Sequence, residues 1–235
     1  MRQLPLRVRL HDPALFESFL PGPNAQVLQQ LVELARHQRG GLWWLCGPEG
    51  SGKTHLLQAL CTAAGEGAQY VPLSELAAYG PAALAEWHGA RWLCLDEADA
   101  VIGNGEWERA LFAVYRDCEE RGASLLVAAR AAPPQLSFAL PDLASRCAAG
   151  LRLTLRALDE DGQLAALRLR AQQRGFDLPD ETARYLQRRL PRDMRSLFAV
   201  LDELDAAALA AQRRLTVPFI KDVLALRETP GVNAS

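Results

Sequence analysis

Residues 47–54 read GPEGSGKT, an order of residue types suited to holding phosphate. Gly47, Gly50 and Gly52 let the backbone turn tightly and bring N–H groups onto phosphate oxygens. Lys53 offers a compact charge to β- and γ-phosphates, and Thr54 offers a hydroxyl to Mg²⁺, which prefers oxygen ligands. Pro48, Glu49, Ser51 and His55 belong to the same nucleotide-binding stretch. A second stretch, RWLCLDEAD at 91–99, ends an apolar run in Asp96 and Glu97. Asp96 suits holding the metal through water, and Glu97 suits polarising an attacking water. Together the two stretches point to a nucleotide, ATP or ADP, bound with Mg²⁺. The letters DEAD also occur in helicases. Those need a second nucleotide-closing domain of similar size, and too little chain is expected to remain for one.

These residues must be placed by elements. The apolar run Leu42 to Cys46 precedes the phosphate loop as a strand, and Leu56, Leu57 and Leu60 follow it at helical spacing. Strands are expected at 42–46, 69–73, 91–96, 124–129 and 151–155, with helices near 53–64, 82–88 and 106–121. In the last helix Trp107, Leu111, Val114, Tyr115 and Cys118 form one apolar stripe, read as core. The alternation predicts an α/β fold, a parallel five-stranded sheet covered by helices. After about residue 157 strand signals fade. Asp159 caps a helix that Gly175 stops, further helices run near 180–190 and 192–212, and Thr216 with Pro218 starts a fourth ending around Leu226. The expected layout is an N-terminal peptide at 1–12, a nucleotide-binding domain at 13–157, a helical lid at 158–226 and a disordered tail at 227–235.

Composition narrows the class. The chain has 235 residues, 49% apolar and 23% charged, as in soluble globular proteins. No apolar run reaches the roughly 18–20 residues that span a membrane. A net charge of −2 argues against nucleic acid as the main ligand. Of 26 basic residues only Lys53 and Lys221 are lysines, so Lys53 stands out against an arginine bias. Five cysteines without a C-x-x-C pair read as buried thiols in a reducing compartment. The four histidines lack metal-ligand spacing, which argues against a zinc site. At the N-terminus, QLPL at 3–6 exposes Leu4 and Leu6 beside Gln3. Either "RVRL" continues it as an edge strand, or the peptide is made for another protein's pocket.

A phosphate-loop α/β domain followed by a four-helix lid resembles the AAA+ P-loop NTPases. Three stretches resemble the DnaA-related branch of that family, over nearly the whole chain. The first is FESFLPGPNAQVLQQL (16–31), where the resemblance puts Phe19, Leu20 and Asn24 near the adenine. The second is LPDLASR (140–146), which resembles an arginine-finger box with Arg146 as the finger. The third is PRDMRSLFAVLDELD (191–205), which resembles a second sensor, with Arg195 facing the nucleotide from the lid. DnaA itself carries a C-terminal DNA-reading domain, and nothing is expected to remain after LTVPFIKDVLAL for that role. Length and layout are similar to the Hda regulators, whose N-terminal Q-L-x-L peptide docks on the β sliding clamp. By that resemblance Gln3, Leu4 and Leu6 bind the clamp, and Pro5 lowers the entropy cost of holding the peptide extended.

The resemblance implies negative regulation of DNA replication initiation. The DNA-loaded clamp recruits the chain, and Arg146 reaches in trans into ATP-bound DnaA and triggers hydrolysis. The implied partners are DnaA and the clamp, with DNA met only through the clamp, a homo-oligomer compatible, no membrane, and a cytoplasmic, replisome-associated location. One departure concerns the end of the fourth strand, where Ala128, Ala129 and Arg130 stand in place of the family's small polar or acidic group. Hydrolysis at the chain's own site is therefore expected to be weak or absent, with ADP as the working ligand and Arg195 setting the lid angle. The lid arginines Arg184, Arg188, Arg189 and Arg192 read as a solvated helix face. Rival readings are a DnaC-like helicase loader or transposition helper, a clamp-loader-type ATPase, and a nucleotide-stabilised clamp adaptor. None of these accounts equally well for the clamp peptide and Arg146 together.

Overall fold

The computed structural model describes residues 14–37, 40–87, 89–190, 193–213 and 215–228. The clamp-type peptide, Arg192 and tail residues 229–235 lie outside them. The chain divides into two compact units between Ala157 and Leu158.

In the first unit α1 (Ala25–His37) leads into β1 (Gly41–Cys46), α2 (Lys53–Ala64), β2 (Ala68–Pro72) and the short α3 (Leu73–Leu76). Then come β3 (Trp92–Asp96), α4 (Gly105–Arg121), β4 (Ser124–Ala129), α5 (Pro141–Ala149) and β5 (Leu151–Thr154). The five strands are parallel, in the order β2-β3-β4-β1-β5. Every residue of β3 and β4 is buried, which is why both read as continuous apolar runs rather than alternating ones. On one sheet face Leu42, Trp44, Leu95 and Val127 pack with Trp107, Leu111 and Val114 of α4 and Leu143 of α5. On the other, Leu45, Cys94 and Leu126 pack with Leu31 of α1 and Leu56, Leu57 and Leu60 of α2. The apolar stripe of α4 is core at Trp107, Leu111, Val114 and Cys118, and Asn104 caps that helix by accepting from the N–H groups of Glu106 and Trp107. Of the five thiols, Cys46, Cys94, Cys118 and Cys147 are buried and Cys61 is half-buried, all free. Burial pushes Cys118 up to about 11 and Cys147 up to about 12.

Three local expectations change. The helix expected at 82–88 is a 3-10 stretch, Pro81–Trp87, whose three alanines and single buried leucine give little apolar stripe to hold a full α-helix. The strand expected over 69–73 stops at Pro72, which lacks an N–H, and Leu73 begins α3. Helices α1 and α5 were not expected as separate elements. Pro141 stands in the first turn of α5, where its missing N–H costs nothing.

The second unit is helical: α6 (Glu160–Gln173), α7 (Asp180–Arg189), α8 (Met194–Ala211) and α9 (Val217–Glu228). Asp159 caps α6 by accepting from Gly162, and Gly175 follows its end at φ +80°. Helix α9 runs to Glu228, two residues into the stretch expected as tail. Among the described residues no helix is long and apolar enough to cross a membrane. Arg170 grips Asp202 through two bonds of 3.0 and 2.9 Å, Arg174 lies 3.1 Å from Asp202 and 3.3 Å from Asp205, and the Arg170 guanidinium covers the Phe198 ring at 4.8 Å. This half-buried cluster joins α6 to α8. Asp202→Ala should lower the stability of the helical unit by about 1–3 kcal/mol, read as faster amide exchange in α6 and α8. Breaking the exposed Arg116–Glu120 pair of α4 should cost no more than about 0.5 kcal/mol.

Candidate nucleotide site

The loop between β1 and α2 sits at the carboxyl end of the parallel strands, where strand order reverses around β1. Gly50 and Gly52 take φ of +73° and +95°, left-handed values that favour glycine. A side chain on Gly47 would meet the Leu155 carbonyl oxygen at 2.8 Å, and one on Gly52 would meet the Phe19 ring at 2.5 Å. Pro48 and Glu49 are exposed, whereas Ser51 is buried and its hydroxyl has no protein partner. Lys53 begins α2 and donates from Nζ to the carbonyls of Gly47 at 2.7 Å and Pro48 at 2.9 Å. Partial burial lowers the pKa of its ammonium, and the carboxylates of Asp96 and Asp99 pull the other way.

Asp96, 1% exposed, is the centre of the site. Its Oδ2 accepts from the Thr54 hydroxyl at 2.6 Å and the Tyr70 hydroxyl at 2.9 Å, and its Oδ1 accepts from the Glu97 N–H at 2.9 Å. Burial raises the Asp96 pKa, and the three donors oppose that rise. Burial, reinforced by the Asp96 carboxylate, raises the Tyr70 phenol. Glu97 takes φ +56° at the turn out of β3, and its carboxylate accepts from the Ser74 hydroxyl. Asp99 accepts the N–H of Arg130, whose exposed guanidinium lies 4.0 Å from the same carboxylate. Thus Arg130, at the end of β4, is bound to an acid of the adjoining turn.

The residues before α1 wrap the loop from outside. Phe19 covers Gly52 and meets the His55 ring at 5.8 Å. His55 Nε2 lies 2.9 Å from the Leu15 carbonyl oxygen, which only accepts, so Nε2 carries a proton. Ser18 Oγ lies 3.2 Å from the same nitrogen. Asn24 is 2% exposed and spends its amide on the backbone of Arg156, donating to the carbonyl at 2.9 Å and accepting from the N–H at 2.8 Å. Leu20 is half-buried beside them in sequence.

The structure therefore brings Lys53, Thr54, Asp96 and Glu97 together, with Phe19 and His55 against the loop. It does not bring Arg146 into that cluster. Arg146 lies in α5, half-exposed, 4.0 Å from Glu119 and 5.8 Å from the centre of the Tyr115 ring, both on α4. Arg195 lies on the exposed side of the first turn of α8, in the helical unit. Tyr70, Ser74 and Asp99 were missed from the sequence. The register that pairs Pro72 with Asp96 puts Tyr70 on the same sheet face as Asp96, and no linear motif carries that information. Among the described residues no cluster of histidine, cysteine and acidic groups could hold a metal by itself. The set present fits a nucleotide with Mg²⁺: a glycine loop, an unpartnered buried hydroxyl at Ser51, and hard oxygen donors at Thr54 and Asp96.

A five-stranded parallel sheet of this order, a phosphate loop after β1, an acidic pair after β3 and a separate helical unit define the AAA+ P-loop NTPase fold. The chain is similar in structure to domain III of the Thermotoga maritima replication initiation protein DnaA, with TM-score 0.76 and 21% identity over 93% of this chain and 97% of that one. AMPPCP-bound DnaA from Aquifex aeolicus matches with TM-score 0.70 and 19% identity, covering 84% of this chain and 66% of that one. The Thermotoga maritima RuvB Holliday junction branch migration motor matches with TM-score 0.63 and 16% identity, over 90% and 73% of the two chains. Residues 159–224 match the family model described as Hda, lid domain. The chain therefore has a DnaA-like AAA+ fold, and its helical unit matches the Hda lid domain over residues 159–224.

Gly52→Ala adds a methyl group against Phe19 at a left-handed φ. It should lower the stability of the first unit by about 2–4 kcal/mol in thermal unfolding. Gly65→Ala, at φ +68° with open space around it, should cost only about 1–2 kcal/mol from backbone strain alone.

Proposed function

We propose that this chain regulates replication initiation by acting on the nucleotide of DnaA, and does little hydrolysis of its own. The observation that carries this reading is the position of Arg146. Its guanidinium is half-exposed on α5 and paired with α4 groups rather than with the phosphate loop of its own chain, so it is available to a nucleotide held by another molecule. The match of 159–224 to the Hda lid supports the choice of DnaA as that molecule. A planar, permanently charged guanidinium suits the charge that develops on a transferring γ-phosphoryl group. A finger supplied in trans is worth about 10³–10⁵ in rate, roughly 4–7 kcal/mol of barrier.

The chain's own site serves as a nucleotide-binding element. A bound nucleotide supplies the phosphate charge and Mg²⁺ that this loop chemistry matches. Glu49 to Gly52 would offer backbone N–H groups, Lys53 would turn its ammonium from the loop carbonyls to phosphate, and Thr54 and Asp96 would hold the metal. Glu97 has the chemistry to polarise water. However, Ala128 and Ala129 end β4 without a polar side chain, and Arg130 is bound to Asp99, which supports weak or absent hydrolysis here. Residues 3–6 are proposed to dock on the sliding clamp, and DNA enters only through the clamp.

The test is the conversion of DnaA-bound ATP to ADP, with and without DNA-loaded clamp and this chain. Conversion should accelerate only when both are present. Arg146→Ala should lose that acceleration by about 10³-fold or more. Replacing Gln3, Leu4 and Leu6 by alanine should abolish the clamp requirement's benefit while leaving nucleotide binding intact. Acceleration that survives Arg146→Ala would instead favour a clamp adaptor, and no acceleration at all would favour a helicase loader.

A further inference from the structure

Glu108, in the first turn of α4, is 0% exposed. Its Oε1 accepts from the N–H of Gly103 at 2.7 Å and of Ala139 at 3.0 Å, and its Oε2 accepts from the N–H of Leu140 at 2.5 Å. Among the described ion pairs none involves this carboxylate, so backbone dipoles alone satisfy it. Burying an acid in this way is costly unless such donors are held for it. The donors come from two separate loops. Gly103 ends the turn that begins at Glu97. Ala139 and Leu140 lead directly into α5, with Leu140 as its N-cap.

The same side of α4 continues toward Arg146. Glu108, Leu111, Tyr115 and Glu119 recur at i, i+3, i+7 and i+11, one stripe of a helix. Leu111 and Tyr115 line an apolar cavity with Phe138, Leu143 and Cys147, the last two on α5. Apolar contact around a cavity is non-directional and does not fix the angle or height of α5. A carboxylate that takes two consecutive N–H groups at the head of the helix does fix them.

We propose that Glu108 is the positioning residue of Arg146. It pins the start of α5 to the turn that follows the acidic pair, and so sets where the guanidinium is presented to the partner's nucleotide. The proposal rests on the trans-finger reading above and deepens it. A misplacement of about 1 Å at a charge-stabilising group can cost on the order of 10²-fold in rate without weakening association.

The experiment compares the full chain with its Glu108→Gln variant. The amide keeps size and shape but cannot accept at both ends. Two readouts are taken. Amide exchange of residues 139–147 should rise at least about 10-fold while β1 and β4 keep their protection. The maximal rate of DnaA-bound ATP conversion, with loaded clamp, should fall about 10–100-fold while the concentration giving half the maximal effect stays within about twofold. Glu108→Asp, which keeps the charge but is one methylene short of spanning both loops, carries the same test if Glu108→Gln does not fold. Unchanged exchange at 139–147, or a maximal rate that falls only with the folded fraction, overturns the proposal. Arg146→Ala, run in parallel, separates the two ideas. If it leaves conversion unaltered the trans-finger reading fails, while the exchange result still judges whether Glu108 holds α5.

Discussion

One carboxylate oxygen joins the parts of the candidate nucleotide site. Oδ2 of Asp96 takes the hydroxyl of Thr54 from α2 and the hydroxyl of Tyr70 from β2. Asp96 itself ends β3, so three elements meet at one buried atom. That meeting holds the start of α2, and with it Lys53, at the carboxyl edge of the sheet. It also leaves Glu97 at a left-handed turn, where Ser74 can reach its carboxylate. A buried acid without these donors would strongly favour its neutral form, which is poorly suited to a divalent cation. The hydroxyls thus serve folding and prospective metal binding through the same bonds.

A second buried acid organises the other side of the sheet. Glu108 gathers the turn after β3 and the approach to α5, whereas Asp96 gathers the phosphate loop and β2. Both acids depend on the stretch 96–108, one at its start and one at its end. The phosphate loop and the arginine of α5 are therefore tied to neighbouring parts of one segment. That arrangement suits a protein that keeps its own nucleotide and offers an arginine elsewhere.

Much of this was legible in the chain. β1, the loop and α2 are announced by an apolar run, glycines and a leucine stripe, and β3 by an apolar run ending in two acids. The caps Asp159 and Gly175 mark the ends of α6 because side-chain and backbone chemistry at helix ends is local. What was not legible is non-local. Tyr70 reaches Asp96 through strand register, Glu108 reads as one more polar residue on an amphipathic helix, and Asn24 meets Arg156 across 132 positions. The resemblance pointed Asn24 to the adenine, yet its amide is spent on backbone. Helix α5 was hidden because its nine residues, opened by Pro141, carry too short a period to stand out.

The measurement that tests the account most directly asks whose phosphate is released. DnaA would be loaded with ATP labelled on the γ-phosphate, the chain with an unlabelled non-hydrolysable analogue, and the two mixed with DNA-loaded clamp; the labels would then be exchanged. The account predicts labelled phosphate from the first arrangement and almost none from the second. Release chiefly from the chain's own labelled nucleotide would contradict it, and would make the protein an ATPase that spends its own ligand.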